Sequence, residues 1–338
     1  MGVKLTSILG KKDITFEILK GKVIAVDFSN YAYQFLSSIR QLDGTLLMDS
    51  NKNVTSHLMG IWTRFSNLIN KNIKLVVILD GKMPLLKKRT TLDRFEKKEI
   101  AKEKYELAVQ ENDLDSMNLY AKQTSFLTKD MISESRELID AMGIPILQAP
   151  AEADAQMAYL CKKDDVWAAA TSDIDPLLHG CKRTVTNLTL TQRKKLVSGG
   201  TIKINPQLID LEENLTRLGI TREQLIVLSI LVGTDYNPGI KGIGPKKALK
   251  LVKKSTDYKE IFKTACADFN WVDVYNLFEK MEITKNYNLK WNKPDQEKIK
   301  DILILRHEFN EKRVNKVLEE LQKGNKSFEQ TGLDTWVR

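Results

Sequence analysis

Apolar positions along the chain follow two rhythms. Lys22-Val23-Ile24-Ala25-Val26, Lys74-Leu75-Val76-Val77-Ile78-Leu79, Ile144-Pro145-Ile146-Leu147 and Val166-Trp167-Ala168-Ala169-Ala170 are short apolar runs bounded by Gly, Pro or charge. Runs of about four to eight such residues predict buried strands, as in a parallel sheet covered on both faces. Thr184 to Thr189 alternates like a further strand. Between them the spacing turns helical: Ser29 to Arg40, with Ser29 as the capping residue, Val54 to Ile69, and Arg222 to Leu231 as a buried helix. The stretch from Lys87 to about Thr128 is highly charged and poor in core-forming residues, which predicts a solvated helix pair or an excursion from the domain.

The strand-like runs lead into carboxylates. Asp27 and Asp80 end the first two, Glu152 and Asp154 follow the third, and Asp173 and Asp175 follow the fourth; Asp235 stands after the apolar helix, in Leu231-Val232-Gly233-Thr234-Asp235-Tyr236. The carboxyl ends of strands host the chemistry of open parallel α/β sheets. In an extended turn, Asp173 and Asp175, two apart, face one point. Glu152 and Asp154 converge only if Glu152 lies in the turn after Pro150 and Asp154 in the first helical turn. Any one of these acids reads equally well as a turn former or helix cap. Seven crowded together would repel one another unless divalent cations neutralised them, and hard oxygen donors without His or Cys suit Mg²⁺ or Mn²⁺.

Asp80-Gly81-Lys82-x-Pro84, Ala149-Pro150-Ala151-Glu152-Ala153-Asp154-Ala155, Ala170-Thr171-Ser172-Asp173-Ile174-Asp175 and Gly233-Thr234-Asp235-Tyr236 with Gly239-Ile240-Lys241-Gly242-Ile243-Gly244-Pro245 resemble the signature blocks of flap endonucleases, structure-specific 5′ nucleases with a PIN-like core. The match is in order and spans nearly the whole chain. It implies a central, mostly parallel sheet flanked by helices, a helical arch at about 82–130 and a helix–two-turn–helix at about 225–254. These would lie in one nuclease domain over 1–324, made of an N-terminal region 1–100, an internal region 120–256 and a C-terminal helical wrap 257–324, with a flexible tail at 325–338. The implied activity is two-metal hydrolysis of a DNA phosphodiester where a 5′ flap meets duplex, with 5′–3′ exonuclease activity alongside, in Okazaki fragment maturation and base excision repair. Asp27, Asp80, Glu152 and Asp154 would stand nearer one Mg²⁺, and Asp173, Asp175 and Asp235 nearer the other, with Mn²⁺ able to substitute.

The same resemblance distributes the remaining roles. Lys87 and Arg94 would draw in and polarise the scissile phosphate, as preorganised cations do in phosphoryl transfer. Tyr33, which periodicity alone does not separate from a core residue, would stack on DNA, and Arg40 would contact the junction, with Arg64 a further DNA contact. Gly2 would pack close to the active site as the new N-terminus. Gly242, Gly244, Lys246 and Lys247 would grip duplex phosphates at a helix N-terminus opened by Pro245. A K⁺ ion held by backbone carbonyls often assists there, although the Ser that commonly supplies an oxygen is Gly239 in this chain. The tail residues Gln330, Leu333, Trp336 and Val337 resemble a sliding-clamp motif, with Val337 in place of the usual second aromatic and Leu333 and Trp336 as anchors.

Composition agrees with this picture and narrows it. The 338 residues suffice for one large α/β domain or two smaller ones. A net charge of +9 favours a polyanionic partner, and no apolar run approaches a membrane span, so branched DNA is expected and a membrane is not. Cys161, Cys181 and Cys266 lack C-x-x-C spacing and speak for a reducing compartment. Met1-Gly2-Val3-Lys4-Leu5-Thr6 lacks the apolar core of a signal peptide. A monomer is expected, intracellular, in the cytoplasm or nucleoid of an archaeon or the nucleus of a eukaryote. A sister 5′ nuclease acting on bubbles, four-way junctions or duplex ends shares the catalytic residues. A PIN-type ribonuclease would not need the Gly242-Ile243-Gly244 grip, and a DNA-binding, clamp-associated scaffold would need no carboxylates.

Overall fold

The computed structural model describes residues 3, 5–111, 113–188, 193–195 and 201–333; the side chains of residues 88–95, 97, 109, 114, 115, 118, 193–195, 201–203 and 323–333 lie outside that description. Its strands are β1 (Lys12–Asp13), β2 (Val23–Asp27), β3 (Lys74–Leu79), β4 (Ile146–Gln148), β5 (Ala168–Ala170), β6 (Arg183–Thr186), β7 (Arg193–Lys195), β8 (Thr201–Lys203) and β9 (Gln207–Asp210). Seven of them form one sheet in the order β1-β9-β6-β5-β2-β3-β4, and β7 and β8 pair separately. From β6 across to β4 every pairing is parallel, whereas β9 runs antiparallel to β6, and β1 to β9.

The pleat assigns side chains to two cores. Ile24, Val26, Leu75 and Val77 face the larger one, with Phe35, Trp62, Phe65, Leu138, Ile302 and Leu318 from the helices. Ala25, Val76 and Ile78 point the other way, onto Met157, Leu160 and Cys161. Burial on both faces is why these strands read as continuous apolar runs instead of alternating ones. After β2 the chain moves outward through β3 and β4, then returns to place β5 and β6 on β2's other side. The carboxyl ends of β2 and β5 therefore flank a topological switch point, where α/β sheets bind their ligands.

Several boundaries differ from the sequence reading. The helix expected to be capped by Ser29 runs Phe28–Ser38 and is capped by Asp27, whose side chain accepts from the backbone N–H of Asn30. Both residues are cap formers, and the strand ends one residue before the helix begins. The extended geometry expected for Asp173 and Asp175 stops at Ala170: Asp175 opens a short helix, Asp175–Leu178, with Pro176 preset for its first turn. The charged stretch after Lys87 forms a helix pair, Lys88–Gln110 and Leu114–Ala121. Residues 54–69 resolve into helices Ser56–Gly60 and Ser66–Asn70 joined by a π-helical turn, Ile61–Phe65.

A buried polar clamp ties the C-terminal segments to the body. Asp49 Oδ2 lies 3.0 Å from His307 Nδ1, while Glu134 stands between His307 Nε2 at 3.3 Å and His57 Nε2 at 3.5 Å. Arg306 donates through both terminal nitrogens to Glu137 at 2.9 Å each. The last helix, Glu311–Leu333, runs past residue 325, where a flexible tail was expected to begin. Trp336 and Val337, and the side chains of Gln330 and Leu333, lie outside the described residues.

Candidate active site

Six of the expected acids arise at the carboxyl edge of the sheet, and Asp235 comes from the loop after the helix Arg222–Val232. Asp27 ends β2; its Oδ1 accepts from Asn30 N at 3.0 Å and its Oδ2 from the Thr171 hydroxyl at 3.3 Å. Asn30 exchanges hydrogen bonds with Ser172, and Thr171 accepts from Asp173 N, which laces the loop after β5 to the helix after β2. On the other side, Asp80 Oδ1 accepts from Ala153 N at 2.9 Å and so caps the helix Ala153–Lys162. That approach depends on Gly81, whose N–H reaches Ala151 O at 2.6 Å; a Cβ there would lie 2.1 Å from Ala149 O. Glu152 is the extended N-cap residue of the same helix, and Asp154 lies in its first turn. Asp175 accepts from Val3 N at 3.3 Å, which brings the N-terminal segment against the site, while Gly2 lies outside the described residues.

Electrostatics shows how close these groups are. Burial, then the charges of Asp80 and Asp173, push Asp27 up to about 7. Burial, Asp173 and Asp235 do the same to Asp175, again to about 7. Asp154 is raised well above the carboxylate range by burial and by Asp27, Asp175, Asp173 and Glu152. The repulsions cross the expected four-and-three division, so the seven acids make one continuous negative field. Lys87 enters it: Nζ sits 2.5 Å from Glu152 Oε1 and 3.7 Å from Asp235 Oδ2. Burial alone would lower its pKa, but Glu152, Asp235 and Asp154 outweigh it and hold the ammonium charged.

The donor chemistry fits a hard divalent cation. The donors are carboxylate oxygens, they repel one another, and Asp154 Oδ1 is buried without a hydrogen-bond partner. As the side chains stand, no three His, Cys, Asp or Glu groups among the described residues converge tightly enough to hold an ion.

Sequence reasoning passed over Tyr236. It is 7% exposed, and its hydroxyl donates to Glu152 Oε2. An aromatic next to an apolar helix reads as core; its position directly after Asp235 was the available signal.

The expected DNA contacts are spread around this centre. Tyr33, 41% exposed, lies under the Lys98 ammonium at 4.8 Å. Arg40 bonds Gly44 O at 2.6 Å and Ser125 Oγ at 2.7 Å, tying its loop to the segment returning from the helix pair. Arg64 is half-buried in the π-helical turn. The Arg94 side chain lies outside the described residues. Gly242 and Gly244 are exposed with open space where a Cβ would stand, and Gly244 caps the helix Pro245–Lys254, whose Lys246 and Lys247 face solvent.

A mostly parallel sheet whose carboxyl edge gathers this many acids, with a charged helix pair following Lys87, defines a nuclease of the XPG class. Sequence models agree, with the XPG N-terminal domain matching residues 1–101 and the XPG I-region matching 143–235. The chain belongs to the flap endonuclease 1 family. It is 44% identical over 340 residues to flap endonuclease 1 of Pyrococcus furiosus, covering 100% of both chains, and 42% identical over 348 residues to that of Aeropyrum pernix, covering 99% of each. Among solved structures, flap endonuclease-1 from Methanococcus jannaschii superposes with a TM-score of 0.77 at 38% identity, covering 96% of this chain and 98% of that one. The catalytic core of Rad2 in complex with DNA substrate, 24% identical with a TM-score of 0.72, covers 95% of this chain and 100% of its own and shares the fold.

Proposed function

We propose that the protein is a divalent-metal-dependent endonuclease that cuts 5′ flaps at their junction with duplex DNA, and that it also trims 5′ ends as an exonuclease. The single observation that carries this reading is the continuous carboxylate field at the sheet's switch point with the Lys87 ammonium inside it. Asp27, Asp80, Glu152, Asp154, Asp173, Asp175 and Asp235 would hold two Mg²⁺, with Mn²⁺ able to substitute. Bound there, such ions supply a Lewis acid, an activated water and charge stabilisation for the leaving 3′ oxygen. The protein's own part is to hold the acids in place, to offer cations to the phosphate through Lys87 and Arg94, and to hold the duplex at a distance. Gly242, Gly244, Lys246 and Lys247 suit that last task, because open glycines and an exposed helix N-terminus let backbone amides approach phosphates. With Gly239 in place of a serine, K⁺ binding at this turn would rest on backbone carbonyls. The described chain is read as one nuclease domain, acting as a monomer, and among the described residues no helix is long and apolar enough to cross a membrane. Cleavage of labelled flap, bubble, four-way and RNA substrates in Mg²⁺ tests the assignment; preference for a substrate other than the flap overturns it.

Lys87→Ala should slow single-turnover cleavage by roughly 10²-fold, the scale of losing one preorganised electrostatic group, with little change in DNA affinity. Lys246→Ala should instead weaken duplex binding and flatten its logarithmic salt dependence by about one unit. Fluorescence anisotropy across a salt series, paired with quenched-flow cleavage, separates the two; a Lys87 change that moves only affinity removes its chemical role.

The tail is proposed to dock a sliding clamp. Replacing Leu333 and Trp336 together by Ala should abolish stimulation by the cognate clamp and leave clamp-free cleavage intact. Calorimetric binding to that clamp by the double variant at wild-type strength would eliminate the motif.

A further inference from the structure

We infer that Tyr236 is a positioning residue that fixes the carboxylate of Glu152 for metal binding, and that the duplex-gripping element delivers it; this deepens the nuclease reading and rests on it. Glu152 is held from two sides. Lys87 takes Oε1 at 2.5 Å, and the Tyr236 hydroxyl donates to Oε2. A carboxylate with each oxygen fixed by a donor from a different element cannot rotate freely, and losing a group that orients a metal ligand in this way typically costs about 10- to 100-fold in metal affinity.

Tyr236 is well placed to be rigid. Its ring packs edge-on against Phe278 at 5.3 Å, and the residue is only 7% exposed. The loop that carries it is tightly knit. Thr234 and Asn237 bond each other through backbone and side chains at 3.0 and 2.7 Å, Tyr236 N donates to the Thr234 hydroxyl, and Asn237 Nδ2 donates to Ile230 O at 2.8 Å. Gly239 closes the loop at a φ of +76°, where a Cβ would stand 2.3 Å from Val232 O. The loop is thereby welded to the helix Arg222–Val232, and the same connection leads on to Gly242 and Gly244. One rigid turn thus presents Asp235 and Tyr236 to the acids and the glycines to phosphate.

Tyr236→Phe keeps the ring on Phe278 and removes only the hydroxyl. Wild-type and variant proteins should melt together and bind flap DNA equally in Ca²⁺. Mn²⁺ affinity without DNA, read by electron paramagnetic resonance, should fall about tenfold. Single-turnover cleavage at limiting Mg²⁺ should fall similarly and recover in large part as Mg²⁺ is raised. In a Glu152→Gln background the same change should cost little Mn²⁺ affinity, because the group it orients has gone. Equal Mn²⁺ affinity in wild type and Tyr236→Phe, or full additivity with Glu152→Gln, overturns the inference even if the wild type cuts flaps. A wild type that binds Mn²⁺ but ignores flaps overturns the substrate assignment and leaves Tyr236's role standing on the binding data.

Discussion

Asp173→Asn is expected to lower single-turnover flap cleavage by at least ~10²-fold while the folded protein melts no lower than wild type. The substitution keeps the size of the side chain and removes one negative charge from a place where that charge is costly: Asp173 helps push up the pKa of Asp27, Asp154 and Asp175. Its backbone N–H, which donates to the Thr171 hydroxyl at 3.2 Å, is untouched, so the loop after β5 keeps its anchor. Relief of repulsion should hold or raise the melting temperature in EDTA and preserve or tighten flap binding, since phosphate meets a weaker negative field. An Asp serving only as a turn former would show the reverse, a lower melting temperature with normal turnover. Melting temperature, flap affinity and single-turnover rate at saturating Mg²⁺ decide between them. Near-wild-type cleavage by folded Asp173→Asn would end the metal role of this acid.

The second large effect concerns pH and chelation. Asp27 and Asp175 have folded pKa values of about 7 against an ordinary value of 3.8, so the folded protein binds their protons more tightly than the unfolded chain does. For an acid raised in this way the penalty is absent below about pH 4, grows as pH rises, and is complete above about 7. Each pKa unit corresponds to about 1.4 kcal/mol, and because the two groups share their repulsions the joint loss is of order several kcal/mol. In EDTA the protein should therefore be markedly less stable at pH 8 than at pH 5. Mg²⁺ replaces the protons that the acids have lost, so its stabilising increment should be larger at pH 8. Urea titrations with EDTA or Mg²⁺ at the two pH values measure this; equal increments, or stability in EDTA that rises toward pH 8, would show that the acids are not held in a common field.

The parts of the molecule visible in the sequence are those where one cause dominates. β2 and β3 announce themselves because burial on both faces demands unbroken apolar runs, and their terminal acids follow from the edge at which such sheets work. Less visible were features in which two local preferences compete. Ser29 and Asp27 are both competent caps, and only the point where β2 ends selects Asp27. Asp175 looked extended because it alternates with Asp173, yet Pro176 suits a helix's first turn and takes it there. Tyr236 was hidden by chemistry shared between core and site, its ring serving one and its hydroxyl the other. The clamp of Asp49, His57, Glu134 and His307 has no local pattern at all, since its members meet only after the chain has folded back from the C-terminal side.

The carboxylate field is drawn from residue 27 to residue 235, and Val3 closes one side of it. No short fragment contains it. A chain synthesised as far as Pro150 carries only Asp27 and Asp80 of the seven acids, and β5, the strand that sits beside β2 in the finished sheet, has yet to be made. Parallel pairing of this kind closes long loops before any contact rewards it, so the centre is among the last features to assemble. An emerging chain that stops short of Asp235, however basic its surface, therefore lacks part of the hydrolytic centre, which is complete only once that residue has been made and folded against the others.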